Sequence, residues 1–402
     1  MRVVHVSPHL PPDQSANALL PAQLGRWMAA RGDEVAFVAH EPRQRHARDD
    51  DSPVLENDAV AQPRTSNPPP DIVTRWIPRR RSSAFTRALK LDAWQLVRRV
   101  NRALNDVASS ATLLHLHSNG LIIEAAASWA RRRRVPYVLT LYGTEIWHYK
   151  KRWPVDPFTR GYMAAAGVTF YSRGLLDHAR GQALGRDEMS VVYPPVPEEF
   201  TPQPEPSRAE LRRALGVKER FLILNVKRLH PLAGQQFLID AFAQLCASRP
   251  RDDARLVICG EGPRREILER QIHSLGLTDR VTMTGLVPNA TIARYMAAAD
   301  VFVLPSILEA LPTVAVEALA SGTPVISADH PGGVELQALF ADDVTVVPRE
   351  SAPLLARALE AFLTQPRRAL PATARTLETL FRPPAVLRAF DLVYAAALRE
   401  HR

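Results

Sequence analysis

The stretch Pro305-Ser306-Ile307-Leu308-Glu309-Ala310-Leu311-Pro312-Thr313-Val314-Ala315-Val316-Glu317-Ala318-Leu319-Ala320-Ser321-Gly322-Thr323-Pro324 opens where the apolar run Val301–Leu304 ends. That run reads as a buried strand and Thr313–Ala320 as a helix stopped by Gly322, so strand, loop and helix follow in succession. Two carboxylates frame the loop and the helix start, Glu309 before and Glu317 after. Carboxylates are natural acceptors for neighbouring hydroxyls. The N–H groups of the helix start, between them, suit an anion.

Working outward, strand and helix signals alternate along most of the chain, the pattern of parallel sheets wrapped by helices. Before the stretch come strand signals at Phe221–Val226, Arg255–Cys259 and Val281–Thr284; after it come Pro324–Ser327 and Val344–Val347. The first half repeats the pattern with strands at Val3–Ser7, Glu34–Ala39, Thr112–Leu116, Tyr137–Leu141, Gly167–Tyr171 and Ser190–Tyr193, and helices at Leu19–Arg31, Phe85–Ala108 and Leu121–Arg134. Residues 41–71, with three consecutive aspartates and Pro68-Pro69-Pro70, break the rhythm and read as a long loop. Pro194, Pro195, Pro197, Pro202, Pro204 and Pro206 stiffen a connector between two such halves. The expected organisation is two doubly wound α/β domains, 1–198 and 199–382, with a cleft between them and a helix at 383–402 returning toward the first.

Composition agrees with a globular α/β protein: 402 residues, 46% hydrophobic and 23% charged. Cys246 and Cys259 are too few for a disulfide scaffold and lack metal-site spacing, which points to a reducing compartment. No signal peptide and no run of membrane-spanning length is read, so a cytoplasmic location is expected. The net charge of +9 resides mostly in the first 200 residues. A basic face suits anionic lipid, a phosphorylated acceptor or plain solubility. Helix 85–108, with Arg87, Lys90, Arg98, Arg99 and Arg102, is the candidate for peripheral contact with an anionic inner membrane face. Nucleic acid is excluded as a partner, because the runs Arg79–Arg81 and Arg131–Arg134 lack interleaved aromatics for base stacking.

Three further segments carry chemistry. Leu256-Val-Ile-Cys-Gly260-Glu-Gly262-Pro263 runs a strand into a glycine turn and a helix, where backbone N–H groups approach a ligand or where glycine simply fits the turn. Asn225-Val-Lys227-Arg228-Leu-His230 ends the strand at the edge that faces the ligand crevice in doubly wound sheets. There Arg228 could hold a diphosphate bidentately. His117, in Leu113-Leu-His115-Leu-His117-Ser-Asn119-Gly120, stands just past a strand end, with His115 on the same face and deeper in the core.

Glu309 and Glu317 with their neighbours resemble the Glu-x7-Glu motif of family-four retaining glycosyltransferases. Ala298-Ala299-Asp300-Val-Phe-Val-Leu-Pro-Ser306 resembles the strand before the motif, Gly285-Leu-Val287 the base-contacting turn, and Gly332-Gly333-Val-Glu335 the segment after it. The resemblance implies a GT-B fold, two Rossmann-like domains facing each other across a cleft, and no cofactor or metal. The implied donor is a nucleotide-sugar, UDP- or GDP-linked, and the acceptor a small or lipid-linked hydroxyl compound. It assigns His117, Glu309 and Arg228 to catalysis. Lys227, Gly260, Gly262, Val287, Leu311, Thr313 and Glu317 fall to the donor, and Asn17, Tyr142 and Glu145 to the acceptor side.

Three departures from the family pattern bear on the site. Ala233 stands where a lysine usually follows five residues after the arginine matched by Arg228. Ser15-Ala-Asn17-Ala-Leu replaces a glycine pair, and Tyr142 replaces a histidine in Thr140-Leu-Tyr142-Gly143-Thr144-Glu145. The implied reaction retains anomeric configuration, with Glu309 positioning the sugar rather than attacking it. A phosphorylase, hydrolase or nucleotide-sugar epimerase on the same fold is the rival reading, marked by donor turnover without an organic acceptor.

Overall fold

The computed structural model describes residues 1–11, 16–42, 72–79, 91–109, 112–152, 154–249 and 253–399, without the side chains of Ala16, Asn17, Thr144 and Ala183. The long loop read at 41–71 lies outside these residues beyond Pro42, as do Phe85–Lys90 of the basic helix. Two compact units divide the described chain. One holds the residues up to Pro194 together with Pro384 onward, and the other runs from Pro195 to Pro383.

The first unit is a seven-stranded parallel sheet in the order β3-β2-β1-β4-β5-β6-β7. Its strands are β1 Arg2–Ser7, β2 Glu34–His40, β3 Val73–Ile77, β4 Thr112–His117, β5 Tyr137–Leu141, β6 Gly167–Phe170 and β7 Met189–Val191. Strand β3 escapes the sequence reading because Val-Thr-Arg-Trp-Ile alternates exposure at the sheet edge and follows the proline run. The central strands β4 and β5 are buried at every position, the composition of a parallel sheet covered on both faces. The terminal helix Pro383–Arg399 buries Ala385, Val386, Phe390, Tyr394 and Ala397, and within this unit a Cβ on Gly167 would meet Val393 at 3.4 Å.

The second unit is a six-stranded parallel sheet, β10-β9-β8-β11-β12-β13, made of β8 Phe221–Val226, β9 Ala254–Cys259, β10 Val281–Gly285, β11 Val301–Leu304, β12 Val325–Ala328 and β13 Val344–Val347. Phe221, Ile223, Leu238, Phe242, Leu256, Ile258, Val301 and Val303 form its core. In both units the third, second and first strands lie to one side of the fourth, so the order in which strands are laid across the sheet reverses between β1 and β4 and between β8 and β11, while all strands stay parallel. A doubly wound sheet opens a ligand crevice at that switch point, outside the carboxyl ends of the strands. Helix Thr313–Ala320 ends as the sequence suggests: Gly322 N–H donates to Leu319 at 2.9 Å and Thr323 N–H to Ala318 at 2.9 Å.

Asp300 sits at the opposite end of β11 from the loop that carries Glu309. It takes Arg208, Arg212 at 3.0 Å and the Leu222 N–H at 2.6 Å. Its place in the resemblance is therefore structural: it ties β8 and β11 together at the far edge of the sheet.

Candidate functional site

At the β8/β11 switch point the loop after each strand is pinned to the other. Ile307 N–H donates to the Leu232 carbonyl at 2.8 Å. Gly234, in the left-handed region at φ 70°, presses so closely on Pro305 that a Cβ would lie 2.0 Å from its carbonyl oxygen. Only glycine permits that approach. The consequence is a short reach between the two loops: Lys227 Nζ lies 2.5 Å from Glu309 Oε1, with side chains 27% and 15% exposed. Lys227 and Arg228 are half-buried beside His230, whose pKa is lowered by burial and then by these two cations.

The Gly260 turn braces the same loop from the β9 side. Lys227 N–H donates to Cys259 at 3.0 Å, and Leu229 N–H to Glu261 at 3.0 Å. A Cβ on Gly260 would meet the Lys227 carbonyl at 2.1 Å, and one on Gly262 the Leu229 carbonyl at 2.4 Å. Both glycines thus have a steric reason within the chain itself, before any ligand is considered. Gly260 N–H also donates to Gly285 at 2.9 Å, which brings in the turn that carries half-buried Val287.

On the other flank, Gly332 N–H donates to the Glu309 carbonyl at 3.1 Å, seating the first turn of helix Pro331–Phe340 on the Glu309 loop. His330 is fully buried and accepts from Gly333 N–H at 2.9 Å. Burial pushes its pKa down to about 4, so it stands neutral among Glu309, Lys227 and Arg349. The sequence reading passed over His330; the signal was a histidine directly before Pro-Gly-Gly, an N-cap position.

Leu311 is buried, Thr313 and Glu317 are half-buried, and no side chain caps the start of helix Thr313–Ala320. Burial, and then the charge of Glu199, raise the Glu317 carboxyl to about 7. The residues assigned to the donor lie in the segments that follow β8, β9, β10 and β11, Thr313 and Glu317 in the helix after β11.

In the first unit the switch point between β1 and β4 holds three buried histidines. His5 and His115 are register partners, and the His115 and His117 rings lie tilted by 34° with centroids 3.9 Å apart. His117 uses both nitrogens: Nε2 meets His5 Nδ1 at 2.9 Å and Nδ1 meets the Tyr142 hydroxyl at 2.8 Å. His115 meets Tyr394 at 2.7 Å and Thr140 at 2.6 Å. Burial lowers the pKa of all three, that of His5 to about 3, so the cluster is uncharged.

Among the described residues this is the cluster whose spacing could hold a metal. An ion there would have to displace the contacts above, which leave only His5 Nε2 without a partner. The sequence pointed to His115 and His117 but not to His5, which looked like one more position in an apolar strand.

Glu145 is buried and braces two turns. Oε1 accepts from Ser118 Oγ at 2.6 Å and Oε2 from Gly143 N–H at 2.8 Å, next to Tyr142. Asn17 lies in helix Ala16–Ala30, and its side chain is outside the described residues. On helix Leu91–Val107, Trp94 is 55% exposed with the Arg98 guanidinium 4.6 Å from its ring centroid, while Val100, Ala103, Leu104 and Val107 are buried. No helix among the described residues is long and apolar enough to cross a membrane.

Comparison with known proteins gives the same two-part division. The family model described as glycosyl transferases group 1 matches residues 207–376, and that described as Glycosyltransferase Family 4 matches residues 22–200. The putative teichuronic acid biosynthesis glycosyltransferase TuaC of Bacillus subtilis is 32% identical over 255 residues, 62% of this chain and 61% of that protein. The alpha-D-kanosaminyltransferase of Streptomyces kanamyceticus is 36% identical over 164 residues, 40% and 41% of the two chains. The GDP-mannose-dependent alpha-(1-6)-phosphatidylinositol monomannoside mannosyltransferase of Mycobacterium tuberculosis is 34% identical over 199 residues, 46% and 50%. The matched part thus spans less than two thirds of each of these relatives.

Among solved structures, a glycosyltransferase from Rickettsia africae superposes with a TM-score of 0.74 at 14% identity, covering 99% of this chain and 98% of that one. HepE from Anabaena in complex with UDP gives 0.71 at 18%, covering 98% and 100%. Matched in sequence through both halves and in fold from end to end, the chain belongs to the family-four glycosyltransferases of the GT-B fold.

Proposed function

We propose that the protein transfers a sugar from a nucleotide-sugar to a hydroxyl acceptor with retention at the anomeric carbon. The observation that supports this reading is the Lys227–Glu309 pair at 2.5 Å across the β8/β11 switch point, with Arg228 next to Lys227 in the chain and an uncapped helix, which carries Glu317, following Glu309. Two cations and helix N–H groups suit a nucleoside diphosphate leaving group, and the two carboxylates suit hydroxyls at either end of it. That HepE was solved with UDP, and that the mycobacterial relative is named for GDP-mannose, supports a UDP- or GDP-linked donor.

In this reading charge developing on the diphosphate in the transition state is met by Arg228, Lys227 and the start of helix Thr313–Ala320, a preorganised field in place of a metal. Glu309 orients the sugar and Glu317 takes the ribose diol. The acceptor hydroxyl is the nucleophile and approaches on the leaving-group side. Tyr142 and Glu145 belong to the acceptor side, as does Asn17, and His117 contributes from the same unit. With both ring nitrogens engaged internally, the His117 imidazole reaches a substrate only by giving up His5 or Tyr142.

A thermal-shift screen of nucleoside diphosphates tests the donor assignment, because a ligand specific for the folded state raises Tm by mass action. UDP or GDP is expected to stabilise the protein, and a nucleotide-sugar of the same base to be consumed only when a hydroxyl acceptor is supplied. Donor turnover without acceptor would favour the hydrolase or epimerase reading instead. Activity is further expected to survive EDTA. Loss to chelator with recovery on adding Mg²⁺ or Mn²⁺ would show that a metal, not Arg228 and Lys227, neutralises the leaving group.

A further inference from the structure

The departure at Ala233 leaves the expected diphosphate clamp one lysine short. Ala233 is only 2% exposed, inside the turn Pro231–Ala233. The position of Lys227 is quite different. Its backbone is gripped by Cys259 and by the close approach of Gly260, and its side chain spans the switch point to Glu309 at 2.5 Å. Its ammonium therefore rests on the carboxylate assigned to the sugar, one residue along the chain from the arginine assigned to the diphosphate.

We propose that Lys227 supplies the charge absent at Ala233, and that it does so by exchanging partners: Glu309 holds its ammonium until a nucleoside diphosphate takes it. This rests on the donor reading above. The exchange keeps the half-buried ammonium paired throughout, since one anion replaces another. Glu309 is released by the same step, and its freed oxygens need new donors, which the sugar hydroxyls of an intact donor provide. A nucleoside diphosphate without its sugar provides none, and it leaves a bare carboxylate close to a bound anion. Glu309 thus acts as an internal competitor against the bare diphosphate and as a ligand for the nucleotide-sugar. One pair makes the site select the loaded donor over the spent product.

The test is calorimetric titration of UDP and GDP into the intact protein, its Lys227→Met, Glu309→Gln and doubly substituted variants, each checked for an unchanged circular dichroism spectrum. Glu309→Gln is expected to tighten the nucleoside diphosphate about tenfold, because the competing charge is gone. Lys227→Met is expected to weaken it about tenfold or more, and Glu309→Gln in the Lys227→Met background to recover part of that loss by removing repulsion. The corresponding UDP- or GDP-sugar should respond to Glu309→Gln in the opposite direction, binding more weakly. Should Lys227→Met fail to fold, Lys227→Gln is measured in its place.

If UDP or GDP binds the unaltered protein but Glu309→Gln leaves its affinity unchanged or lower, the partner exchange is wrong while the donor reading stands. Unchanged affinity in Lys227→Met overturns it equally. If neither diphosphate binds the unaltered protein, the donor reading falls and this proposal falls with it.

Discussion

Arg228→Ala is expected to lower turnover about a hundredfold to a thousandfold, the usual consequence of removing one preorganised donor worth ~2.7–4 kcal/mol to a transition state. The effect should fall mainly on kcat, because negative charge accumulates on the leaving diphosphate only as the glycosidic bond breaks. Arg228→Lys should recover a minor part of it, since an ammonium cannot reproduce two parallel N–H bonds from a planar fork. The loop around Arg228 limits indirect effects: backbone hydrogen bonds at Lys227 and Leu229 hold it on both sides of the substituted residue. Steady-state kinetics on a donor and acceptor pair identified by the nucleotide screen provide the measurement. Near-normal turnover in Arg228→Ala would remove this strand end from the chemistry.

Strands with a continuous apolar signal were legible. Phe221–Val226, Val301–Leu304, Tyr137–Leu141 and Val344–Val347 are found at the residues read from sequence, and three of these strands are flanked on both sides by others in their sheets. Such strands are apolar at nearly every position and need no alternation to be recognised. The edge strand Val73–Ile77 was not legible, because an arginine and a threonine break the run and its pairing with β2 is non-local. Helix Thr313–Ala320 was exact at both ends, for it follows a proline and ends in a glycine cap, both local signals.

The candidate site divides along the same physical line. Glu309, Glu317, Arg228 and His117 could be singled out because Arg228 and His117 lie at strand ends, and Glu309 and Glu317 in the loop and helix that follow another strand, all marked in the sequence. His330, His5 and the Lys227–Glu309 pair could not, because each depends on how close two segments come that are distant in sequence. Lys227 and Glu309 are 2.5 Å apart because Gly234 lets one loop press on Pro305. The glycine is visible in the sequence; the partner that requires it is not. His5 likewise acquires significance only from lying opposite His115 in register.

Glu317 offers the other large effect, and here its sign depends on pH. Burial and the charge of Glu199 hold its carboxyl near 7 rather than in the ordinary carboxylate range, so at neutral pH it is about half protonated. Ribose hydroxyls donate best to the charged form, so donor binding should draw its pKa down and release a proton. Donor affinity should therefore rise with pH up to about 7 and flatten above it, falling by as much as about tenfold per unit on the acid side. Glu317→Gln should abolish this dependence, and Glu317→Ala should weaken the donor about tenfold or more at pH 8 without unfolding the protein.

Stability moves the other way. A carboxyl whose folded pKa is raised keeps its proton in the folded state while the unfolded chain loses it, so the fold loses stability as pH climbs through the interval from the usual carboxylate value to about 7. Glu317→Gln should consequently be more stable than the parent at pH 8, by about 1–3 kcal/mol given that the side chain is only half-buried. Glu199→Gln should lower the midpoint of the affinity profile by removing the neighbouring charge. Calorimetric titrations at pH 6, 7 and 8, paired with melting curves at the same pH values, measure both effects. A donor affinity that is flat across this range in the unaltered protein would mean that Glu317 does not change its charge on meeting the ribose. Unchanged affinity in Glu317→Ala would place the ribose elsewhere altogether.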